Sequence, residues 1–175
     1  MKSKIKILVT GGAGFIGSSL IERLLKNSQY YIVAIDDLST GDIKKIPQAS
    51  ADVLKFIRCN VNDYESISAV MHSYKFDYVF HYAAMVGVLR TQQNPLKVFQ
   101  DIDGIRHICK LAVNTGVKRV FFSSSSEIYG EPVEIPQHVY TTPLNSRVPY
   151  AIVKNVGEAY LRSYNQEFGL EYSIF

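Results

Sequence analysis

The chain has 175 residues, of which 47% are hydrophobic and 20% are charged. This composition is typical of one ordinary globular domain and excludes a disordered chain. The net charge of +3 is the difference between 19 basic and 16 acidic residues. The basic residues form no block, so we expect no nucleic-acid partner and no membrane surface. The two cysteines have no metal-type neighbours, so we expect free thiols and no bound metal.

The amino terminus is basic, but the apolar run after it is too short for a signal peptide. No segment approaches the length that spans a membrane. We therefore expect a soluble, cytoplasmic protein.

The first apolar run, residues 5–9, leads into the spacing Gly-x-x-Gly-x-x-Gly and then into a segment with helical periodicity. A buried strand, a glycine turn and a helix in this order form a site for a pyrophosphate. Glycine permits a positive φ and a close approach of the main chain, and the helix start presents unpaired amides. The residues that we expect to contact the cofactor here are Gly11, Gly14, Phe15, Ile16 and Gly17.

Strand and helix patterns alternate along the rest of the chain. The predicted strands cover residues 4–9, 30–35, 53–57, 76–80 and 118–122, with a last one from residue 170. The predicted helices cover residues 15–27, 63–74, 95–115 and 149–168, and residues 131–149 are predicted as a loop. This alternation predicts an α/β fold with a doubly wound parallel sheet, the NAD(P)-binding Rossmann fold, over residues 1–175.

The second predicted strand ends at Asp36 and Asp37, about 20 residues beyond the glycines. A carboxylate at this position accepts hydrogen bonds from a ribose diol and repels a 2′-phosphate. We therefore predict that Asp36, in preference to Asp37, selects NAD over NADP.

Two further strand ends carry candidate cofactor contacts. After the third strand, Asn60 and Val61 are predicted to reach the adenine edge. After the fourth strand comes His81, which we interpret as a hydrogen-bonded structural residue more readily than as a base. It is followed by a segment whose small residues let a cofactor lie against the backbone. That segment is Tyr82, Ala83 and Ala84.

The fifth strand ends in a serine run, residues 123–126, and the last helix begins near Tyr150. Tyr150 and Lys154 are four residues apart, so they project from one helix face. A nearby ammonium favours a phenolate and lowers the tyrosine pKa from about 10. The pair therefore predicts a tyrosine that works as a general acid or base near neutrality.

In their order along the chain, these motifs resemble the extended short-chain dehydrogenase/reductases, in the NAD-dependent epimerase/dehydratase family that acts on nucleotide sugars. The resemblance implies that Tyr150 is the acid/base and that Lys154 binds the nicotinamide ribose and lowers the tyrosine pKa. It implies that Ser125 hydrogen-bonds the reacting hydroxyl. It also implies a nucleotide-sugar substrate and a homodimer built on the long helix and the last helix.

The implied reaction is epimerisation of the UDP-glucose 4-epimerase type, by transient oxidation to a keto sugar. Family dehydratases carry Asp-Glu after the position of Ser125, where this chain has Ser126 and Glu127. Serine-glutamate resembles the nucleotide-sugar decarboxylases and also many epimerases. A decarboxylase or dehydratase of the same family therefore stays an alternative. A non-catalytic NAD-binding sensor is a further one, although such proteins often lack the tyrosine–lysine pair.

The chain departs from the family pattern at several places. Asn60 replaces an aspartate that binds the adenine amino group, and its carbonyl can accept the same bond. Asp101 replaces the asparagine of an Asn-x-x-Gly-Thr motif that shapes the active-site backbone, with Ile105 in place of threonine, which puts full activity in question. Gly104 lies inside the predicted long helix, and we expect a packing or functional reason for it.

Family members continue beyond the position of Phe175 into a smaller domain that binds the substrate. We expect this C-terminal substrate domain to be absent here. The hypothesis that follows is a chain that binds NAD and turns over nucleotide sugars poorly or not at all.

Overall fold

The computed structural model describes residues 3–175; Met1 and Lys2, part of the basic amino terminus discussed above, lie outside the described residues. Within this range the strands lie within two residues of their predicted positions. They are β1 (Ile5–Thr10), β2 (Tyr30–Asp36), β3 (Leu54–Arg58), β4 (Tyr78–His81), β5 (Arg119–Phe122) and β6 (Glu171–Ile174).

All the strand pairs are parallel, in the order β3-β2-β1-β4-β5-β6. After β3 the chain crosses to the other side of β1, so the direction of winding reverses between β1 and β4. The loops that leave these two strands diverge and open a crevice at the carboxyl edge of the sheet. Thr10 and His81, the paired last residues of β1 and β4, form its floor. The predicted doubly wound Rossmann fold is confirmed.

Helices cover both faces of the sheet. They are α1 (Phe15–Leu24), α2 (Tyr64–Tyr74), α3 (Val88–Gln93), α4 (Pro95–Phe99), α5 (Asp101–Thr115) and α6 (Pro149–Phe168). Among residues 3–175, no helix is long and apolar enough to cross a membrane.

The structure corrects three helix predictions. The segment before Pro95, which lies outside the predicted helices, contains α3. This helix ends at Gln93, because Asn94 precedes a proline and such a residue avoids the helical conformation. The predicted helix over residues 95–115 is two helices that meet at Gln100. The amide of Gln100 donates to Lys97 O, and its carbonyl oxygen accepts Asp103 N. Each of these hydrogen bonds spans three residues instead of four, which tightens the chain and separates α4 from α5. Finally, α1 ends at Leu24, three residues earlier than predicted.

The hydrophobic core has two parts, one on each face of the sheet. The larger part joins β1, β2, β4 and β5 to α2, α5 and α6, and the smaller part joins the other face of the sheet to α1. Gly104 lets α5 pack closely on the loop after β3. A Cβ at Gly104 would lie 2.5 Å from Asn62 Oδ1 and 2.8 Å from Val61 Cγ2. The expected packing reason for this glycine is confirmed.

Candidate cofactor and active site

Gly11 brings the turn after β1 against the end of β4. Its φ is +68°, and a Cβ there would lie 2.8 Å from Ala83 N and 2.9 Å from Tyr82 C. A Cβ on Gly17 would overlap Gly11 O, so α1 also passes close to this turn. The predicted glycine cradle is therefore built by contacts that only glycine allows.

The start of α1 faces outward beside this turn. Gly14 is its N-cap and offers no side-chain cap, and no acidic residue lies in the first turn. Phe15 and Ile16 are 78% and 61% exposed. The first-turn amides thus have no acceptor from a cap, which is the arrangement that binds an anion such as a pyrophosphate.

Asp36 lies buried at the end of β2, beneath the glycine turn. Its Oδ2 accepts Ala13 N at 3.0 Å and its Oδ1 accepts Leu38 N at 2.8 Å. A Cβ on Gly41 would lie 2.7 Å from Oδ1, so the following loop also closes on this carboxylate. Two backbone amides therefore fix the orientation of Asp36. The carboxylate of Asp37 accepts the amide of Ser39 in its own turn, at 2.8 Å.

Thr10 and His81 form a hydrogen-bonded floor under the crevice. Thr10 Oγ1 lies 2.8 Å from His81 Nδ1 and accepts the amides of Tyr82 and Ala83 at 3.1 and 3.0 Å. Because this hydroxyl already accepts two N–H groups, it donates its own proton to Nδ1, which leaves the histidine proton on Nε2. Burial, and to a lesser degree the charge of Lys154, lowers the pKa of His81 to about 3. His81 is a neutral structural residue, as predicted.

This buried histidine gives a prediction for acid stability. The pKa of His81 is about 3 in the fold and 6.5 in its ordinary state, so below pH 6.5 the unfolded chain takes up a proton that the folded chain does not. The contribution of neutral His81 to the stability of the fold is therefore complete above pH 6.5. As the pH falls from 6.5 towards 3, its contribution decreases, by about 1.4 kcal/mol per pH unit.

Urea unfolding at a series of pH values measures this dependence. The slope of the unfolding free energy against pH gives the difference in bound protons between the unfolded and the folded chain. We expect His81→Phe to reduce this difference by about one proton. His72→Gln, at an exposed histidine of α2, is expected to keep the slope. An unchanged slope in His81→Phe would contradict the assignment.

Lys154 lies buried in α6, with only 4% of its surface exposed. Its Nζ donates to Ser123 O at 2.7 Å and lies 5.0 Å from the ring centroid of Phe122 and 5.6 Å from that of Tyr150. Burial lowers the pKa of Lys154 to about 8, against a raising effect of Asp101. The structure therefore brings the predicted tyrosine and lysine together beside the end of β5.

Tyr150 is half-buried and lies beside Ser125. Burial raises the pKa of Tyr150, the Ser125 side chain lowers it, and the carboxylates of Glu127 and Asp101 raise it further, with a net rise. The predicted lowering of this pKa by Lys154 is therefore wrong for this structure, in which burial of Tyr150 itself is the largest cause of the rise.

The predicted adenine contacts lie in the loop after β3. Asn60 is exposed and its Oδ1 accepts Asn62 N at 2.9 Å. Val61 is buried and its carbonyl oxygen lies 3.1 Å from His107 Nδ1. This loop is thereby fixed in shape beside α5, and contact with an adenine stays a prediction.

The sequence reasoning missed Glu158 as a support of the serine run. Glu158 is buried one turn after Lys154, accepts Ser124 Oγ at 2.6 Å and pairs with Arg162 at 2.8 Å. The spacing of four residues between Glu158 and Arg162 was a readable signal for the ion pair. Its contact with the serine run depends on how α6 packs against β5.

A groove of about 710 Å³ lies at the start of α6 and reaches Pro149. The charged residues that line it, Glu127, Glu131 and Arg147, all belong to the segment between β5 and α6. Among residues 3–175, no group of three or more histidine, cysteine or acidic side chains is placed to hold a metal ion.

A doubly wound sheet with a glycine turn at its switch point is the arrangement that binds a dinucleotide. The chain belongs to the NAD-dependent epimerase/dehydratase family, whose model matches residues 7–175. NAD, the predicted cofactor, is the cofactor of that family.

Several 4-epimerases resemble the chain in sequence and in structure. It is 34% identical to a putative UDP-glucose 4-epimerase of Methanocaldococcus jannaschii, covering 96% of the chain and 53% of the relative. It is 33% identical to the UDP-glucose 4-epimerase of Mycolicibacterium smegmatis, covering 97% and 54%. The UDP-glucose 4-epimerase of Thermus thermophilus, solved with NAD, superposes with a TM-score of 0.87 at 31% identity, over 97% of the chain and 54% of that protein. The chain thus spans about half the length of the curated relatives it matches.

Proposed function

We propose that residues 1–175 form the NAD-binding domain of a nucleotide-sugar 4-epimerase of the UDP-glucose type. The observation that carries the proposal is the meeting of Ser125, Tyr150 and Lys154 at the same sheet edge as the Gly11 cradle. The names of the similar proteins, UDP-glucose 4-epimerases, support the reaction and the substrate class.

The residues present fit NAD. Because Gly11 has no Cβ, the backbone of this turn can lie against a pyrophosphate. The uncapped amides of Phe15 and Ile16 suit the negative charge of that group. Asp36, fixed by two amides, offers its remaining lone pairs to the adenosine ribose and disfavours the 2′-phosphate of NADP.

Further contacts complete the proposed cofactor site. Asn60 and Val61 lie on the adenine side, and Lys154 lies on the nicotinamide side. The backbone between them runs over the end of β4, where Thr10 holds the amides of Tyr82 and Ala83 and leads into Ala84. NAD, when bound, accepts a hydride from the sugar and returns it.

Tyr150 is the proposed proton carrier. As a phenolate, Tyr150 takes the proton of the sugar C4 hydroxyl while that carbon is oxidised, and the phenol so formed gives the proton back after the keto sugar has presented its other face. Ser125, beside Tyr150, orients the reacting hydroxyl. Lys154 contributes an ammonium that binds ribose hydroxyls.

Epimerisation is favoured over the alternatives for two reasons. The relatives reported above are 4-epimerases, which supports this activity over decarboxylation or dehydration. Tyr150 and Lys154 are both present and adjacent, which supports catalysis over a purely sensing role.

We also propose a homodimer formed through α5 and α6. These helices pack on each other within the chain, and α6 leaves Ile152 and Phe168 38% and 58% exposed.

The two buried free thiols, Cys59 and Cys109, suit a reducing compartment, and we propose the cytoplasm.

Product analysis tests the proposed reaction. The intact protein is incubated with NAD and with UDP-glucose or UDP-glucuronate, and NAD binding by residues 1–175 is measured separately by calorimetry. We expect NAD to bind more tightly than NADP, and UDP-galactose to be the product from UDP-glucose. A product that has lost water or carbon dioxide would replace the epimerase by the dehydratase or the decarboxylase.

A further inference from the structure

Glu158 lies on α6, one turn beyond Lys154, and is buried beside the serine run that follows β5. Its Oε1 accepts Ser124 Oγ at 2.6 Å. This length is typical of a hydroxyl that donates to an ionised carboxylate, which is one of the stronger hydrogen bonds in proteins. Its Oε2 accepts Arg162 Nη2 at 2.8 Å. One carboxylate oxygen therefore holds the loop after β5, and the other meets a cation at the surface.

A glycine brings this part of α6 against the end of β5. A Cβ at Gly157 would lie 2.5 Å from Phe122 Cζ and 2.8 Å from Phe122 Cε1. Phe122 is buried, so its ring has little room to move aside. The close approach at Gly157 therefore places the next residue, Glu158, within reach of Ser124, which lies two positions after Phe122.

The backbone around Ser124 is fixed from two sides. The carbonyl oxygen of Ser123 accepts Lys154 Nζ at 2.7 Å, and Ser124 N donates to Phe175 O at 2.8 Å. The bond from Ser124 Oγ to Glu158 adds a third tie. Two residues of α6, one helical turn apart, thus hold two successive serines.

Ser125 follows directly in the chain and starts the short turn Ser126–Tyr129. Its Oγ accepts Glu127 N at 3.2 Å, and its carbonyl oxygen accepts Ile128 N at 3.3 Å. Ser125 lies beside Tyr150, and the turn that it starts contacts α6. Because one peptide unit joins the two serines, a shift of the preceding serine displaces the Ser125 hydroxyl relative to Tyr150.

We propose that Glu158 is a positioning residue, which holds Ser124 and thereby places Ser125 beside Tyr150. The group that matters is the acceptor oxygen turned towards Ser124, whereas the ion pair with Arg162 stabilises α6. The consequence for catalysis rests on the proposed function, in which Ser125 orients the reacting hydroxyl. The placement of Ser125 itself requires neither cofactor nor substrate, so it can be measured separately.

Four variants separate the hydrogen bond from the ion pair. Ser124→Ala removes the donor of the hydrogen bond, and Glu158→Leu removes its acceptor. Glu158→Gln keeps an oxygen for Ser124 Oγ and loses the charge that pairs with Arg162. Arg162→Met breaks the same ion pair and leaves both members of the hydrogen bond in place.

Steady-state kinetics of the intact protein, compared with urea unfolding, test the proposal. In Ser124→Ala and Glu158→Leu we expect kcat to fall by about 10- to 100-fold, since a displacement of about 1 Å can cost about 100-fold. The Kd for NAD is expected to change little, because the Gly11 turn and Asp36 lie at the ends of other strands. In Glu158→Gln and Arg162→Met we expect kcat to stay near that of the unaltered protein, although the free energy of unfolding falls.

Two results would overturn the proposal. One is a kcat that follows the free energy of unfolding across all four variants, which would leave Glu158 with a structural role alone. The other is an unchanged kcat in Ser124→Ala, which carries the test if Glu158→Leu does not fold.

Hydrogen exchange of the intact protein without substrate tests the placement of Ser125 by itself. The amides of Glu127 and Ile128 both donate to Ser125. We expect them to exchange faster in Ser124→Ala, and at the rate of the unaltered protein in Arg162→Met. Equal exchange in these two variants would overturn the proposal. If the unaltered protein turns over no nucleotide sugar, the proposed function fails, and this exchange still decides whether the hydrogen bond places Ser125.

Discussion

In the intact protein, Tyr150→Phe is expected to lower the rate of nucleotide-sugar epimerisation by about 10²- to 10⁴-fold, with NAD binding retained. The substitution removes one hydroxyl and keeps the ring beside Lys154. Without that hydroxyl, no group in the same position takes the proton from the sugar. The measurement is the initial rate of UDP-galactose formation, together with NAD calorimetry.

Tyr160→Phe is the matched control for this change. Tyr160 lies on the same helix, away from the crevice, with its ring centroid 6.4 Å from that of Tyr164. Tyr160→Phe therefore removes the same hydroxyl at a position outside the proposed site. We expect its rate to match that of the unaltered chain. Equal rates for Tyr150→Phe and Tyr160→Phe would remove Tyr150 from the mechanism.

Gly11→Ala is expected to destabilise the fold and to weaken NAD binding by more than about tenfold. A side chain at φ +68° is strained, which costs about 1–2 kcal/mol. The added Cβ also meets backbone atoms of Ala83 and Tyr82, at 2.8 and 2.9 Å, and backbone cannot move aside as a side-chain end can. Such overpacking adds about 1–3 kcal/mol and displaces the turn that would hold the pyrophosphate.

Gly116→Ala separates these two effects. Gly116 has φ +77°, and a Cβ there meets no atom within 4 Å. It therefore reports the strain of the positive φ without the overlap. Urea unfolding is expected to show a larger loss of stability for Gly11→Ala, and calorimetry is expected to show unchanged NAD binding for Gly116→Ala. Equal losses of unfolding free energy in the two variants would mean that the close contact between the Gly11 turn and the end of β4 contributes nothing to stability.

The strands and the cofactor cradle could be predicted from the sequence because their signals are local. Apolar runs rich in β-branched and aromatic residues predict the strands, and the position of Asp36 after β2 follows from the alternation of elements. The break at Gln100 could not be predicted in this way, because residues 96–103 carry no proline or glycine that would mark it. It depends on hydrogen bonds three residues apart on either side.

The ionisation of Tyr150 shows a second kind of limit. The spacing of Tyr150 and Lys154 predicts that the two side chains lie on one face, which is confirmed. It does not predict how deeply the two side chains are buried. Burial lowers the pKa of Lys154 to about 8, and burial of Tyr150 itself is the largest cause of the raised pKa of the tyrosine. The departure at Asp101 is visible in the sequence, but its partners Met85 and Asn62 come from loops that only the sheet order brings together.

Epimerisation of UDP-glucose that carries deuterium at C4 tests the proposed reaction most directly. If the sugar is oxidised at C4 and reduced again from the other face, the hydrogen removed from that carbon returns to it. We predict UDP-galactose with the deuterium retained at C4. UDP-galactose with hydrogen from the solvent at C4 would contradict the proposed mechanism.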